Sequence, residues 1–166
     1  MQKKFNLLFF SIVGVVWLLD FLSKQWALSK LAGQPYQPIL GEYLGLELTF
    51  NTGGIFGIFQ GNAMFFHIMT GVAILFLLVY YARGVSAEEN TRLFQVAMAM
   101  VLGGALGNFT DRFYQEGVVD FINMGIGPYR WPTYNVADAF ISTGALFFVL
   151  SFIQYERRKK RSGGGS

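Results

Sequence analysis

Apolar residues in this chain gather into long runs instead of alternating with polar ones. Four runs approach the roughly 20 residues that an α-helix needs to cross a hydrocarbon core about 30 Å thick. They cover residues 5–22, 63–81, 93–109 and 136–155. The first run has no small-residue cleavage site and continues into the charged Asp20 and Lys24, so we expect it to be retained. The pattern predicts an all-α membrane protein with four transmembrane helices.

Composition agrees with this interpretation and removes several classes of function. Of the 166 residues, 53% are hydrophobic and only 14% are charged, which is more apolar than a typical soluble domain. The chain has no cysteine, so disulfides, thiolate chemistry and cysteine metal sites play no part. The net charge of +3 is modest and its basic residues are not spread among aromatic loops, so we expect no nucleic-acid partner.

Lysine and arginine are distributed unevenly between the two sides of the four-span arrangement. Nine fall on the side of the termini, and four fall on the other: Lys3, Lys4, Arg83, Arg92, Arg157, Arg158, Lys159, Lys160 and Arg161 against Lys24, Lys30, Arg112 and Arg130. The positive-inside rule therefore places both termini in the cytoplasm. We expect one membrane domain over residues 1–161, followed by a linker or tag remnant at 162–166.

The first outward segment, residues 24–62, contains a different pattern. Tyr43, Leu44, Leu46, Leu48 and Phe50 alternate with smaller or polar residues, which predicts a short strand or two. Because an open sheet edge cannot face hydrocarbon, these strands should lie at or above the lipid headgroups.

The four aspartates are the main chemical clue. Asp20, Asp111, Asp120 and Asp138 each fall at or beside the predicted outer end of a helix. A charged side chain at the bilayer centre costs about 2.5–3.5 kcal/mol on insertion scales, so carboxylates near the membrane are usually paired or functional. Because all four aspartates fall at a similar depth in the membrane, they indicate a functional site at its outer face.

Two of these aspartates have local partners that favour a supporting role. Asp20 and Lys24 are four residues apart and can form an ion pair on one helix face. Asn108, Asp111 and Arg112 share one side of the third helix end, where the arginine fork can hold a carboxylate. We expect both groups to position other residues.

The other two aspartates have contrasting surroundings. Asp120 lies between Val118-Val119 and Phe121-Ile122, and this apolar setting should raise its pKa. Asp138 follows Pro132 and Thr133 at the predicted start of the fourth helix, whose positive end favours an ionised carboxylate. Two carboxyl groups in opposed environments are what general acid and base catalysis requires. Such a pair needs no metal and no cofactor.

Five motifs in order along the chain resemble those of the bacterial lipoprotein signal peptidases, the type II signal peptidases. They are Asp20-x-x-x-Lys24, "NTGGIFG" from Asn51, "GGALGNFTDR" from Gly103, "VVDF" from Val118 and "PTYNVADAFI" from Pro132. Each motif alone is weak, but their joint occurrence over nearly the whole chain is highly specific.

The resemblance implies an aspartyl endopeptidase of the bacterial inner membrane with a periplasmic cradle of strands. Its partners would be membrane lipid and diacylglyceryl-modified prolipoproteins, which it would cleave just before the lipidated cysteine, acting as a monomer. Asp120 and Asp138 match the family's catalytic pair. Positions associated with substrate binding or support of the site match Asp20, Lys24, Asn51, Gly53, Asn108, Asp111, Arg112, Asn135 and Ala137. The chain departs from the family at residues 54–56, where Gly-Ile-Phe replaces the common Ala-Ala-Phe.

Other functions remain as alternatives with less support. A small proton-coupled transporter would also use membrane carboxylates, but it should carry polar groups at mid-bilayer and two symmetric halves, which this sequence lacks. An assembly subunit would use Gly103-x-x-x-Gly107 for helix packing and leave the four aspartates unexplained. The single histidine, His67, cannot form a zinc peptidase site. It also has no serine motif nearby, as a serine peptidase of the rhomboid type would need.

Overall fold

Four long helices dominate the computed structural model, which describes residues 7–53, 63–83 and 91–163. They are α1 (Leu7–Leu31), α2 (Ala63–Arg83), α3 (Arg92–Tyr114) and α4 (Val136–Gly163). Each is long and apolar enough to cross a membrane. The prediction of four spans is therefore confirmed for the part of the chain that the structure describes.

Three helices extend well beyond their predicted ends. Helix α1 continues past residue 22 to Leu31, α3 continues past 109 to Tyr114, and α4 continues past 155 to Gly163, into the supposed tail. Residues 5 and 6 of the first predicted span lie outside the described part. Hydropathy falls where polar side chains begin, but the backbone stays helical, and in α1 and α3 the polar side chains of Lys24, Asn108 and Asp111 have partners within the fold. Asp20, Lys24 and the polar end of α3 are consequently parts of helices, not of the connections after them.

Helix α3 lies at the centre of the bundle, where its glycines let the neighbouring helices approach closely. A Cβ added at Gly103 would lie 2.8 Å from Val16 of α1, and one added at Gly104 would lie 2.6 Å from the Ala137 carbonyl oxygen of α4. These spacings confirm that Gly103 serves helix packing. The bundle is thereby tightest just below the polar end of α3.

A four-stranded antiparallel sheet lies beside one end of the bundle, in the order β1-β2-β3-β4. The strands are β1 (Gln37–Leu40), β2 (Leu44–Asn51), β3 (Val118–Ile126) and β4 (Tyr129–Arg130). Strand β2 confirms the alternation seen in the sequence. Strand β3 was not predicted, and it carries Asp120, which therefore lies on a strand rather than at a helix end.

The sheet is anchored to the helices by a small apolar cluster. Ala27 and Leu31, on the extension of α1, are buried against Phe121 of β3. In the register of β2 with β3, Thr49 pairs with Asp120 and Asn51 with Val118. This anchoring holds the strand that carries Asp120 above the polar ends of α1 and α3.

Candidate active site

One asparagine connects two aspartates from different elements. Asn135 precedes α4, and its Oδ1 accepts the Asp138 N–H at 2.9 Å while its own N–H donates to Asp138 Oδ2 at 3.2 Å. This reciprocal pair is a capping box at the start of the helix. The Asn135 Nδ2 also donates to Asp120 Oδ1 at 2.7 Å. The two carboxyl groups that the sequence singled out are thus brought to the same fully buried side chain.

Asp120 is 2% exposed and is held by two amides. Besides Asn135, the Asn51 Nδ2 of β2 donates to its Oδ2 at 3.2 Å. Burial first, and then the charge of Asp138, raise the pKa of Asp120 to about 7 against a normal value of 3.8. The two amide hydrogen bonds and the charge of Lys24 act in the opposite direction. Asp120 therefore binds a proton far more readily than an ordinary aspartate, as its apolar neighbours predicted.

Asp138 lies in the first turn of α4 and is half-buried. Its Oδ1 accepts a hydrogen bond from the Asn108 Nδ2 of α3 at 2.8 Å. With the Asn135 N–H on the other oxygen, both carboxylate oxygens face donors, and the positive end of the helix lies beside them. The Asp138 carboxyl group is therefore held in place by donors from both α3 and the helix cap.

A buried lysine organises the polar ends of α1 and α3. Lys24 and Asp20 are each 1% exposed or less, and the Lys24 ammonium lies 2.7 Å from Asp20 Oδ2 and 2.8 Å from Asp111 Oδ2. The predicted Asp20–Lys24 ion pair is confirmed. Asp111, however, takes its cation from Lys24 rather than from Arg112, whose Nη1 donates to the Asn108 carbonyl oxygen at 3.1 Å.

The same two carboxylates also hold the backbone of the site. The Ala137 N–H of α4 donates to Asp20 Oδ1 at 2.8 Å, and the Val119 N–H of β3 donates to Asp111 Oδ2 at 3.0 Å. Asp138 follows Ala137 in the sequence and Asp120 follows Val119, so each hydrogen bond fixes the backbone next to one of these two aspartates. The buried ion cluster therefore sets the position of both.

Both aspartates line a cleft of about 740 Å³ between the sheet, the segment before α4 and α4 itself. A second groove of about 810 Å³ shares Trp131, Tyr134, Asp138 and Ser142 with the cleft. Its other lining residues are mainly apolar or aromatic, including Tyr43, Met124 and Ile126. The cleft that holds the aspartates thus adjoins an apolar groove.

All the site residues predicted from the sequence lie in or next to this network. Gly53 donates its N–H to Asn51 Oδ1 at 3.1 Å, so it supports the asparagine rather than the cleft. Sequence reasoning missed Tyr134, which lines both cavities and whose pKa is raised by burial. Its place immediately before the helix cap was the available signal. The departure at residues 54–56 lies outside the described residues, so its effect stays a prediction.

Comparison with known proteins identifies the family. Residues 12–154 match the model of the signal peptidase II (SPase II) family, Peptidase_A8. The chain belongs to the signal peptidase II family. Lipoprotein signal peptidases of Halalkalibacterium halodurans and Serratia proteamaculans are 32% and 36% identical to it, over 93% and 92% of this chain and 97% and 91% of theirs.

Two solved structures of a bacterial membrane enzyme, obtained by the in meso method at 2.3 and 1.9 Å resolution, share the fold. Their TM-scores are 0.80 and 0.77 at 26% identity, covering 96% and 91% of this chain and 96% of each solved chain. As a signal peptidase II, the protein is a multi-pass bacterial membrane peptidase of the aspartic type, which removes signal peptides from prolipoproteins. Membership favours this function over the transporter and assembly-subunit alternatives.

Proposed function

We propose that Asp120 and Asp138 are the catalytic pair, and that they cleave prolipoproteins just before a diacylglyceryl-modified cysteine by activating a water molecule. The observation that carries this proposal is the bridge formed by Asn135, which binds both carboxyl groups where they line one cleft. Two carboxyl groups held by one side chain interact strongly, and such a pair retains a proton that isolated aspartates would lose.

The surroundings favour different protonation of the two members. Asp120 is buried on its strand, and its raised pKa of about 7 leaves it largely protonated just below neutral pH. Asp138 accepts two hydrogen bonds at the start of a helix, which favour its carboxylate form. In the resting enzyme Asp138 is therefore the base and Asp120 the acid.

The reaction follows from these two roles. The Asp138 carboxylate takes a proton from a water molecule as the water oxygen bonds to the scissile carbonyl carbon. The Asp120 O–H donates a hydrogen bond to the carbonyl oxygen, where negative charge develops. When the tetrahedral intermediate collapses, the C–N bond breaks and the leaving nitrogen takes the proton from Asp138. The products are a new carboxyl terminus and a free amine.

The cavities fit a substrate with a lipid beside the scissile bond. The cleft that holds the aspartates can receive the peptide, and the adjoining apolar groove can hold hydrocarbon without removing it from the membrane. With both termini cytoplasmic, as the lysine and arginine distribution indicates, the sheet and cleft lie at the periplasmic face of the inner membrane. One chain supplies both aspartates, so a monomer suffices.

Cleavage of a defined precursor tests the proposal. Purified protein in detergent is incubated with a diacylglyceryl-modified precursor and with the same precursor unmodified, and products are followed by gel shift. Asp138→Asn and Asp120→Asn should each lower the rate by about 10²–10⁴, since the first removes the base and the second replaces the acidic O–H at the carbonyl oxygen with a much weaker donor. The double variant should lose little more, because the two residues act as a unit.

The matched control is Glu116→Gln, which neutralises an exposed carboxylate just beyond α3. It should cleave at the wild-type rate, and all variants should keep the wild-type thermal unfolding transition. The unmodified precursor should be cut far more slowly. Wild-type activity in either aspartate variant would refute the catalytic pair, and equal rates on the two precursors would refute recognition of the lipid.

A further inference from the structure

Each of three asparagines around the aspartates directs its NH2 group at one of the two carboxyl groups. Backbone N–H groups fix the orientation of two of these asparagines. Asn51 Oδ1 accepts the N–H of Gly53, and Asn135 Oδ1 accepts the N–H of Asp138. A backbone N–H can only donate, so each amide must present its oxygen to that group and its NH2 to the opposite side. On that opposite side lies Asp120, which receives both NH2 groups.

The third asparagine is fixed by a side chain instead. Asn108 Oδ1 accepts a hydrogen bond from the Lys24 ammonium at 2.9 Å, and Asn108 Nδ2 donates to Asp138. An ammonium has three N–H donors and no acceptor, and the Lys24 ammonium also lies within ion-pair distance of Asp20 and Asp111. Because Lys24 can only donate, it holds the Asn108 amide with its oxygen toward the ammonium.

The Asn135 amide is a weaker determinant of that orientation. Its Nδ2 also lies 3.1 Å from Asn108 Oδ1, but its two hydrogens are shared with Asp120 Oδ1 at 2.7 Å and the Val119 carbonyl at 3.2 Å. Without the ammonium, Asn108 could rotate its amide by half a turn and present its oxygen to Asp138. Asp138 could then make that hydrogen bond only by acquiring a proton.

We propose that Lys24 is a positioning residue for catalysis, whose ammonium fixes the Asn108 amide so that Asp138 is kept as the ionised member of the pair. The inference deepens the proposed function and depends on the roles given there to Asp120 and Asp138. Lys24 touches neither carboxyl group of the pair. Its ammonium nevertheless affects which of the two acts as the base.

Other charges face the same carboxylate and must be held constant in any test. Asp120 of β3 and Arg112 of α3 interact electrostatically with Asp138, and the ion cluster of Lys24, Asp20 and Asp111 lies behind the Asn108 amide. Removing Lys24 alone would leave two buried carboxylates without their cation, which is strongly destabilising. A combined variant, Lys24→Met with Asp111→Asn, removes one cation and one anion together and leaves the formal charge of the cluster unchanged.

The decisive comparison is between the combined variant and the wild-type protein, which carry the same formal charge in the cluster, while Asp111→Asn alone shows the effect of losing that carboxylate. A hydrogen bond to a charged group contributes about 1.5–3 kcal/mol, so losing it should move the acidic limb of the pH profile of kcat upward by about one to two units. We expect this shift in the combined variant, with KM changed less than about threefold, and no shift in Asp111→Asn. A merely structural role would lower thermal stability and leave the limb in place.

A third variant tests whether the effect passes through Asn108. In an Asn108→Leu background, adding the Lys24 and Asp111 changes should produce no further shift, since the amide that transmits the effect is absent. Lys30→Met serves as the control, because Lys30 is an exposed cation on the same helix. It should leave both rate and pH profile unchanged.

The outcomes distinguish a failure of the role given to Lys24 from a failure of the proposed function. An unmoved limb in the combined variant, or an equal shift with and without Asn108, overturns the role of Lys24 while the aspartate pair stands. If the combined variant does not fold, Asn108→Leu alone should shift the limb and Lys24→Arg, which keeps a donor-only cation, should not. The role of Lys24 is also overturned if Asn108→Leu leaves the acidic limb in place, or if Lys24→Arg shifts it. Cleavage that survives Asp120→Asn or Asp138→Asn would instead defeat the proposed function.

Discussion

Gly107 of α3 lies so close to Asp20 of α1 that a Cβ on the glycine would overlap the Asp20 carboxylate. That carboxylate is buried, paired with Lys24 and bonded to the Ala137 N–H. It cannot move aside without giving up both contacts. The absence of a side chain at Gly107 is therefore a requirement of the buried ion cluster as well as of helix packing.

We expect Gly107→Ala to destabilise the protein by about 1–3 kcal/mol, the usual range for overpacking, and to lower the cleavage rate because the first turn of α4 shifts. Thermal unfolding in detergent and the cleavage assay measure the two effects. Gly14→Ala is the matched control, since a Cβ there meets no atom within 4 Å. Equal melting temperatures for the two variants would show that the contact is not needed.

Activity should decline in alkaline solution. The proposed acid, Asp120, has a pKa of about 7 in the substrate-free protein, and kcat/KM reports the ionisation of the free enzyme. We expect kcat/KM to fall about tenfold per pH unit above that value, because Asp120 loses the proton with which it hydrogen-bonds the carbonyl oxygen. Rates measured from pH 5 to pH 9 with one buffer series check this. A plateau extending to pH 9 would contradict the assignment of Asp120 as the acid.

Stability should depend on pH through the same residue. Between about pH 4 and pH 7 the folded protein holds a proton on Asp120 that the unfolded chain has lost. Stability therefore falls as pH rises through this interval. Melting temperatures across the interval should decline in wild type and decline less in Asp120→Asn, which does not titrate. Glu116→Gln should keep the wild-type slope, and an identical slope in Asp120→Asn would refute this prediction.

Asn135 has two roles that substitution can separate. Serine is also a good helix cap, so Asn135→Ser should keep most of the stability of α4. It cannot, however, supply the NH2 group that reaches Asp120, and leaving that buried oxygen without its donor should cost about 10- to 100-fold in rate. Asn135→Ala should lose both. A serine variant with full activity would show that the bridge to Asp120 is unimportant.

The sequence was sufficient for the elements whose signals are local. Four apolar runs identified the spans, alternation identified β2, and the contrast between an apolar setting and a helix start distinguished Asp120 from Asp138. The spacing of Asp20 and Lys24 on one helix gave their ion pair correctly. In each case the residues that interact, or the repeat that reveals them, lie within a few positions of one another.

What the sequence did not reveal depends on contacts between distant segments. Asn108, Asp111 and Arg112 were grouped because they share one side of the end of α3, whereas the cation of Asp111 comes from Lys24 on another helix. The direction of the Asn108 amide likewise depends on partners 84 and 30 residues away. Strand β3 was overlooked because its pairing partner, β2, precedes it by two whole helices.

The capping box at the start of α4 has a consequence for engineering this enzyme. Its N3 residue is Asp138 itself, so fraying of a single helical turn would release the Asp138 carboxylate from the Asn135 N–H. The stability of the helix start and the position of the proposed base are thereby linked through one residue pair. Designs that seek a sturdier fourth helix should begin their changes at its second turn.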